Sequence, residues 1–240
     1  MVAESNCKVD VCVTLFNEEE NVVNLIKEFN EYNLENQFLG RLILVDNGSY
    51  DKTWENICLQ QNSQIVTFRL PKNIGYGGGA AQAIYHSVHD HIALIPANNQ
   101  YSFKEISNLV REYCKMLENK NKLILLKGRR TNRRDPYIVR VLSFLYSILI
   151  GILSGRNIRD ANGAPKIFHK KIILAKLAGL PKDACFDAAL IIELSKSGVK
   201  VIEKPVTYHK RRHGRASWEG KKLIISLKML TSILSYRLNR

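Results

Sequence analysis

The chain has 240 residues, of which 45% are hydrophobic and 24% charged, and its formal net charge is +14. This length and composition suit one large globular domain and exclude a disordered chain. The five cysteines are scattered without a Cys-x-x-Cys pair, which argues against a zinc site or a disulfide framework and favours a reducing cytoplasm. Acidic residues close to the start predict that no secretion signal is present.

The charge is unevenly distributed along the chain. Residues 1–120 carry a net charge of −5, whereas residues 121–240 carry +19. Such an asymmetry favours an anionic partner for the C-terminal half, and nucleic acid, a lipid headgroup and a diphosphate all fit. Because no recognised nucleic-acid-binding module is present, we expect no nucleic-acid partner.

Apolar runs alternate with helical patterns from the N-terminus onward. Strands are predicted at 8–16, 41–45, 64–68, 92–95, 122–126 and 199–206, and helices at 18–32, 50–61, 80–89, 103–117 and 187–195. Strands alternating with helices predict an α/β fold with a doubly wound, mostly parallel sheet.

Two later segments have a membrane interpretation. The run Val141–Gly155 is uncharged, but its 15 residues fall short of the roughly 20 that span a bilayer, so either a buried or an interfacial helix is predicted. The tail 218–240 has leucines on one helical face together with lysines and arginines, which predicts a basic amphipathic helix. It would contact a membrane surface, its own domain or a second subunit. We therefore divide the chain into a domain at 1–217 and a helix at 218–240.

Polar clusters follow several predicted strands, most clearly at Leu94–Gln100, where an apolar run ends in three amides. Ligands of open α/β sheets bind at the carboxyl ends of the strands, so these clusters are expected to converge on one cleft. The run Gly75–Ala80 matches the dinucleotide fingerprint, but no acidic residue ends the following strand, as that motif requires. We interpret the glycines as a turn that lines the cleft.

The order of these motifs resembles the family 2 glycosyltransferases, which have the nucleotide-sugar-binding GT-A fold. The resemblance is strongest to polyprenyl-phosphate sugar transferases of the dolichol-phosphate mannose synthase type, and it covers residues 8–218. The matching segments are 16–19, 45–49, 73–75, 128–129, 160–168, 186–187 and 205–217.

The resemblance implies roles for individual residues. Phe16, Glu18, Leu44 and Asp46 would hold the nucleoside, Arg129 and Arg211 would contact the diphosphate as catalytic cations, and Asp160 would act at the reacting centre. The nucleotide-sugar site would also include Asn17, Asn47, Asn73, Ala97, Asn98, Gln100 and Ser217.

The sequence departs from the family at its metal motif. The family has Asp-x-Asp-x-Gln where this chain has Pro96-Ala97-Asn98-Asn99-Gln100. Mg²⁺ and Mn²⁺ favour charged oxygen ligands, and Asn98 and Gln100 offer only neutral carbonyls. Two interpretations stay open. In the first, the metal is weakly bound or dispensable because Lys127, Arg129, Arg130, Arg211 or Arg212 neutralises the diphosphate. In the second, the site is catalytically weak or dead.

We therefore predict an inverting glycosyltransferase that moves a sugar from a nucleotide-diphosphate sugar to a polyprenyl phosphate or lipid-linked glycan. It would work as a peripheral protein at the cytoplasmic face of an anionic membrane, and homo-oligomers are compatible with the terminal helix. The alternatives are a non-catalytic nucleotide-sugar-binding scaffold and a soluble transferase with a saccharide or protein acceptor.

Overall fold

The computed structural model describes residues 7–118, 123–211 and 222–238. Its strands are β1 Val9–Leu15, β2 Leu39–Asp46, β3 Ile65–Arg69, β4 His91–Pro96, β5 Ile124–Thr131, β6 Lys166–His169 and β7 Lys200–Thr207. Its helices are α1 Glu19–Glu35, α2 Thr53–Leu59, α3 Tyr76–His86, α4 Phe103–Glu118, α5 Tyr137–Ser154, α6 Phe186–Lys196 and α7 Lys222–Leu238. Short 3-10 segments at Lys170–Ile172 and Leu174–Gly179 follow β6.

The strands form one sheet in the order β3-β2-β1-β4-β6-β5-β7, in which β6 runs antiparallel to both neighbours. Side chains alternate between the two faces of the sheet. Val11 and Val13 of β1 pack into the core that includes residues of α1 and α4, whereas Cys12 packs into the core that includes residues of α3 and α6. Helices therefore cover both faces, which confirms the predicted doubly wound, mostly parallel α/β fold.

The sheet fixes the position of the cleft. The chain builds β2 and β3 on one side of β1 and then returns to place β4 on the other side, so the strand order reverses between β1 and β4. In open α/β sheets, ligands bind at such a switch point, outside the carboxyl ends of the strands. Phe16 follows β1 and Ala97 follows β4 at this point.

The structure corrects three details of the sequence analysis. The strand β6 was not predicted, because its four residues are too few to show a period. Helix α3 begins at Tyr76 rather than Ala80, so Gly77–Gly79 form its first turn. Cys7, just before β1, and Cys114 of α4 form a disulfide, although the scattered cysteines had argued against a disulfide framework, so the cysteines no longer support a reducing cytoplasm.

Helix α5 is longer than the predicted uncharged run. It is the one helix among the described residues that is long and apolar enough to cross a membrane, by length and composition alone. One of its faces is buried through Tyr146 and Ile150. The terminal helix α7 packs on the same core through Ile233, as one of the alternatives for the tail predicted. The predicted boundary at 217/218 lies outside the described residues and stays a prediction.

Candidate active site

A cavity of about 860 Å³ lies at the switch point between β1 and β4. Polar side chains from segments that are far apart in the sequence line it. Of the residues predicted to bind a nucleotide sugar, eight line the cavity: Phe16, Asn17, Glu18, Asn47, Asn73, Ala97, Asn98 and Arg211. The expected convergence of the polar clusters is therefore observed for these residues.

One end of the cavity is aromatic. The rings of Phe16 and Tyr50 meet edge to face with centroids 5.8 Å apart. Asn17 has a positive φ of 55° and accepts a hydrogen bond from the Tyr50 backbone N–H at 3.1 Å. Asn tolerates this conformation better than most residues. The turn after β1 thus fixes two aromatic rings beside a partly exposed pocket, an arrangement that suits a planar ligand group.

Asn47 and Asn73 fix the loop before α3. The Asn47 amide donates to the Gly75 carbonyl at 3.0 Å and accepts from the Ile74 N–H at 3.1 Å, while Asn73 Oδ1 accepts from the Gly75 N–H at 2.7 Å. The Gly77 and Gly78 N–H groups in the first turn of α3 are already bound, because the Lys182 carbonyl accepts from them at 2.8 and 3.3 Å. The structure therefore supports the rejection of a dinucleotide phosphate cradle.

The glycines of α3 permit close packing. A Cβ at Gly79 would lie 2.0 Å from Thr14 Oγ1, and one at Gly77 would lie 2.3 Å from the Pro181 carbonyl oxygen. No side chain fits at these distances. The run Gly75–Ala80 is thus required for helix α3 to approach β1 and the loop before α6.

Glu18 and Arg211, which are far apart in the sequence, form an ion pair in the wall of the cavity. Arg211 Nη2 lies 2.6 Å from Glu18 Oε2, which also accepts from Asn21 Nδ2 at 2.6 Å. Both charged side chains are mostly buried. The loop after β7 is therefore joined to the turn after β1, and a guanidinium faces the cavity at this point.

We expect Arg211→Ala to weaken the binding of a nucleoside diphosphate about tenfold, because a hydrogen bond to a charged group contributes about 1.5–3 kcal/mol. Isothermal calorimetry with UDP and GDP measures this change. Arg41→Ala is a matched control, because Arg41 is exposed near the start of β2, at the opposite edge of the sheet. Equal affinity in the Arg211 variant and the control would exclude Arg211 from the site.

Asp160 lies beneath the cavity as the partner of Arg130. Arg130 Nη2 lies 2.7 Å from Asp160 Oδ1, and both Nε and the backbone N–H of Arg130 donate to Oδ2 at 2.9 and 2.8 Å. Burial acts to raise the pKa of Asp160, but the Arg130 guanidinium outweighs it and holds this pKa well below the usual range. A carboxylate with a low pKa is a weak proton acceptor, so this environment disfavours proton transfer to Asp160 at the reacting centre.

A second buried ion pair fixes the backbone at Asp160. Lys127 is fully buried, and its Nζ donates to the Asp160 carbonyl and to Glu203 Oε1, the latter at 3.0 Å. Glu203 in turn accepts from the backbone N–H groups of Arg159 and Asp160 at 2.9 and 3.1 Å. Lys127 therefore supports the Asp160 backbone and does not line the cavity. Of the cations that were expected to neutralise a diphosphate, Lys127 is thus not placed to contact one.

Other predicted residues lie outside the cavity lining. Leu44 is fully buried in the core, and Asp46 is buried with Oδ1 accepting from the Ser49 N–H and Oδ2 lying 3.2 Å from Arg69 Nε. Arg129 does not line the cavity, whereas Arg130 does, because neighbouring strand residues face opposite sides. Gln100 does not line the cavity, although its hydrogen-bond partner Asn98 does. Ser217 lies outside the described residues.

Sequence reasoning did not assign several residues that line the cavity. Tyr101 and Tyr208 pack edge to face at 5.5 Å, and the Arg130 guanidinium lies 5.4 Å from the centre of the Tyr208 ring. Arg133 lines the cavity beside Ser143 of α5, whose Oγ accepts from Arg133 Nη1 at 3.0 Å. The dense run of arginines at 129–134 is the sequence signal that could have found this part of the cavity, but it does not show which of the arginines face it.

The residues at the metal position do not fit a divalent cation. Asn98 Nδ2 donates to Gln100 Oε1 at 2.6 Å, and Gln100 Oε1 also accepts from the Tyr208 hydroxyl at 3.0 Å. Pro96 supplies no side-chain ligand. Across the described ranges, no group of three or more His, Cys, Asp or Glu side chains could hold a metal ion. A cation at Gln100 would displace existing hydrogen bonds.

The fold has close counterparts among solved structures. Glucosyl-3-phosphoglycerate synthase of Mycobacterium tuberculosis, solved with Mn²⁺, UDP and glucosyl-3-phosphoglycerate, superposes with a TM-score of 0.69. The match covers 97% of this chain and 80% of the other at 15% identity. At this identity the match establishes the fold alone, and the fold class is the predicted GT-A class.

Comparison of the sequence with known families identifies one family within this fold class. The model of glycosyl transferase family 2 matches residues 10–173, and the chain belongs to that family. Among curated relatives, dodecaprenyl-phosphate galacturonate synthase of Rhizobium johnstonii is 29% identical over 212 residues, which are 86% of this chain and 60% of the relative. Undecaprenyl-phosphate 4-deoxy-4-formamido-L-arabinose transferase of Proteus mirabilis is 24% identical, with 90% and 64% covered. The chain thus spans less than two thirds of the length of these relatives. The family match and the relatives together confirm the predicted resemblance to polyprenyl-phosphate sugar transferases.

Proposed function

We propose that this chain is an inverting glycosyltransferase that moves a sugar from a nucleotide-diphosphate sugar to a polyprenyl phosphate or lipid-linked glycan. The observation that carries the proposal is the position of α5, which separates the polar cavity from an exposed apolar surface. Val139, Leu142 and Tyr146 line the cavity from one side of the helix. Phe144, Ile148 and Ile152 are exposed on another side.

These two faces suit an acceptor with a polar head and a long apolar tail. Phe144, Ile148 and Ile152 are spaced by four residues, so they form one stripe along the helix surface. Phe144 is 60% exposed and Ile152 is 74% exposed. Contiguous exposed apolar surface on a soluble domain marks a site for a protein or membrane partner. A phosphate in the cavity would leave its hydrocarbon chain free to run past α5 into a lipid leaflet.

The cations around the cavity suit a diphosphate and a phosphate acceptor. Arg130, Arg133 and Arg211 all line it, and each is mostly buried, with side-chain exposures of 11%, 17% and 17%. Charge–charge attraction is stronger in such a partly desolvated site than in water. We propose that these arginines stabilise the departing diphosphate and that a divalent cation is dispensable.

A phosphate acceptor needs no strong base. The second pKa of a phosphate monoester is about 6, so the acceptor is mostly a dianion at neutral pH and attacks without losing a proton. One acceptor oxygen forms a bond to the anomeric carbon while the bond to the diphosphate oxygen breaks, which inverts the anomeric centre. Asp160 would then act by positioning Arg130.

We further propose that the protein lies peripherally on the cytoplasmic face of an anionic membrane. Helix α5 reaches the lower limit of length for a membrane span, but Tyr146, Ser147 and Ile150 are buried against the domain. A helix with one face buried in protein and another exposed and apolar suits an interfacial position. Exposed Arg134 and Arg140 lie near its start, where anionic lipid headgroups would be attracted.

The proposal is tested by incubating the purified chain with UDP- and GDP-sugars and a polyprenyl phosphate in detergent or vesicles, with EDTA or with Mn²⁺. We expect lipid-linked sugar to form in both conditions. Product that forms only with Mn²⁺ would contradict the dispensable metal, and absence of product with every donor would contradict the transferase.

A second candidate function is a non-catalytic scaffold that binds nucleotide sugars. It is favoured by the mutual hydrogen bond of Asn98 and Gln100 at the position where the family has metal ligands. Calorimetric binding of UDP or GDP without turnover of any sugar nucleotide would support this scaffold over the transferase.

A further inference from the structure

We propose that Asn98 and Gln100 form a latch that holds the segment Tyr208–Arg211 against the cavity, so that Arg211 is positioned without a bound cation. This inference rests on the proposed function for its effect on diphosphate binding, but the latch itself can be observed without ligand. It gives the amides at the metal position a role of their own.

Several hydrogen bonds join the turn after β4 to the segment after β7. The His209 backbone N–H donates to the Gln100 carbonyl at 2.9 Å, and Gln100 Nε2 donates to the His209 carbonyl at 3.2 Å. The Tyr208 hydroxyl donates to Gln100 Oε1 at 3.0 Å. Gln100 is only 8% exposed, so these bonds are largely shielded from water. Their number and shielding make this contact a specific attachment point.

The chemistry of the partners fixes the orientation of the Gln100 amide. The His209 carbonyl oxygen can only accept, so the nitrogen of the Gln100 amide must face it. Gln100 Oε1 therefore faces Asn98 and Tyr208, and both supply donors to it. Asn98 must in turn present its nitrogen to Gln100, which leaves its oxygen to accept from the Gln100 backbone N–H at 3.3 Å. Each amide oxygen of the latch thus faces a donor and each amide nitrogen faces an acceptor, with no cation present.

The latched segment carries two groups of the cavity. The Tyr208 ring lies against Arg130, and Arg211 pairs with Glu18 of the turn after β1. Preorganised charged groups bind an anion more tightly, because less conformational entropy is lost on binding. Holding residues 208–211 in place therefore keeps Arg211 at the cavity before any ligand arrives.

A carboxylate at position 98 would have the opposite effect. An aspartate there has no amide nitrogen, and its oxygen would face Gln100 Oε1 across the present distance of 2.6 Å. Two acceptors at this distance repel unless a donor or a cation lies between them. Asn98 and Gln100 hydrogen-bond to each other without a cation. The Asp and Gln of the family motif would instead require a cation between them or a displaced segment.

The test compares Asn98→Asp with wild type by hydrogen exchange of the peptide that contains His209, in EDTA and without ligand. We expect exchange about fivefold faster in the variant, since one shielded hydrogen bond contributes about 1 kcal/mol. Asn99→Asp is the matched control, because it adds the same charge and also removes one amide donor, from the bond to the Asn21 carbonyl. We expect its His209 peptide to exchange as in wild type.

Binding of UDP and GDP by calorimetry supplies the second measurement. We expect wild type to bind equally in EDTA and Mn²⁺, and Asn98→Asp to bind about tenfold more weakly in EDTA and to recover in Mn²⁺. Tyr208→Phe, which removes one hydroxyl and keeps the ring, serves if Asn98→Asp does not fold, with an expected increase in exchange of about threefold.

The outcomes separate the latch from the transferase. Wild-type exchange in both Asn98→Asp and Tyr208→Phe would overturn the latch even if sugar transfer is observed. Faster exchange in these variants supports the latch even if no donor is turned over, in which case the proposed function alone fails. Wild-type binding that requires Mn²⁺ would also overturn a latch that positions Arg211 without a cation.

Discussion

Asp160→Asn is expected to lower turnover at least tenfold and to destabilise the fold by about 3 kcal/mol, because removing one partner of a buried ion pair leaves the other uncompensated. Both side chains are well buried, with exposures of 5% for Asp160 and 11% for Arg130. Arg130 loses its bidentate partner in the variant and is no longer held at the cavity. Steady-state kinetics and urea unfolding at pH 7 measure the two effects, and turnover close to wild type would remove Asp160 from the mechanism.

A double-mutant cycle distinguishes positioning from proton transfer. If Asp160 acts only through Arg130, then Arg130→Ala and the double variant will be about equally slow, because effects of residues in contact are not additive. If Asp160 takes a proton from the acceptor, its removal will slow the Arg130 variant further. Arg133→Ala is a useful comparison, because Arg133 lines the cavity but pairs with Asp135 instead.

The pH dependence of stability follows from the direction of the Asp160 shift. Arg130 lowers the pKa of Asp160 in the folded protein, so the unfolded chain binds a proton at Asp160 at a higher pH than the folded chain does. The contribution is therefore fully present above the ordinary carboxyl pKa of about 3.9 and is lost as the pH falls below it. The stability difference between wild type and Asp160→Asn should be constant from pH 5 to 7 and shrink below about pH 4.

The sequence predicted which residues line the cavity where their position at the end of a strand is enough to bring them there. It was weaker where the direction of a side chain decides whether the residue faces the cavity. Asn17, Asn47 and Asn98 follow buried strands, and parallel pairing alone brings such residues to one edge of the sheet. Arg129 and Arg130 differ by one position, and the sequence pattern did not show which of them faces the cavity. The antiparallel strand β6 pairs with both β4 and β5 and so connects β5 to the rest of the sheet. Its four residues carried no periodic signal.

Long-range pairs were beyond the sequence pattern for a different reason. Asp160 was assigned to the reacting centre, but its carboxylate is bound by Arg130 of β5, which is 30 residues earlier in the chain. Gln100 was assigned as a metal-position residue, but its amide is bound by Tyr208 and His209. Neither pairing follows from local propensity or periodicity, because each depends on how β5 and β7 lie beside the end of β4.

The exposed stripe of α5 gives the other large effect. Replacing both Phe144 and Ile152 with glutamine is expected to reduce binding to anionic phospholipid vesicles about 100-fold. Burying a large apolar side chain completely contributes about 1.5–3 kcal/mol. We use the lower end of this range, because part of each side chain is already buried in the protein. Glutamine is a good helix former, so the unfolding free energy should change by less than about 1 kcal/mol. Vesicle flotation measures binding, and transfer to a long-chain polyprenyl phosphate should fall with it.

The control pair is Leu34→Gln with Leu59→Gln, because these leucines are 90% and 82% exposed on α1 and α2 and do not line the cavity. It removes a similar apolar area from another part of the surface and should leave flotation unchanged. A short-chain, water-soluble acceptor phosphate separates binding from chemistry, since the α5 variant should use it as well as wild type does. If the α5 variant floats like wild type, or loses both acceptors equally, α5 is not the membrane-facing surface, and the lipid-linked acceptor loses its main structural support.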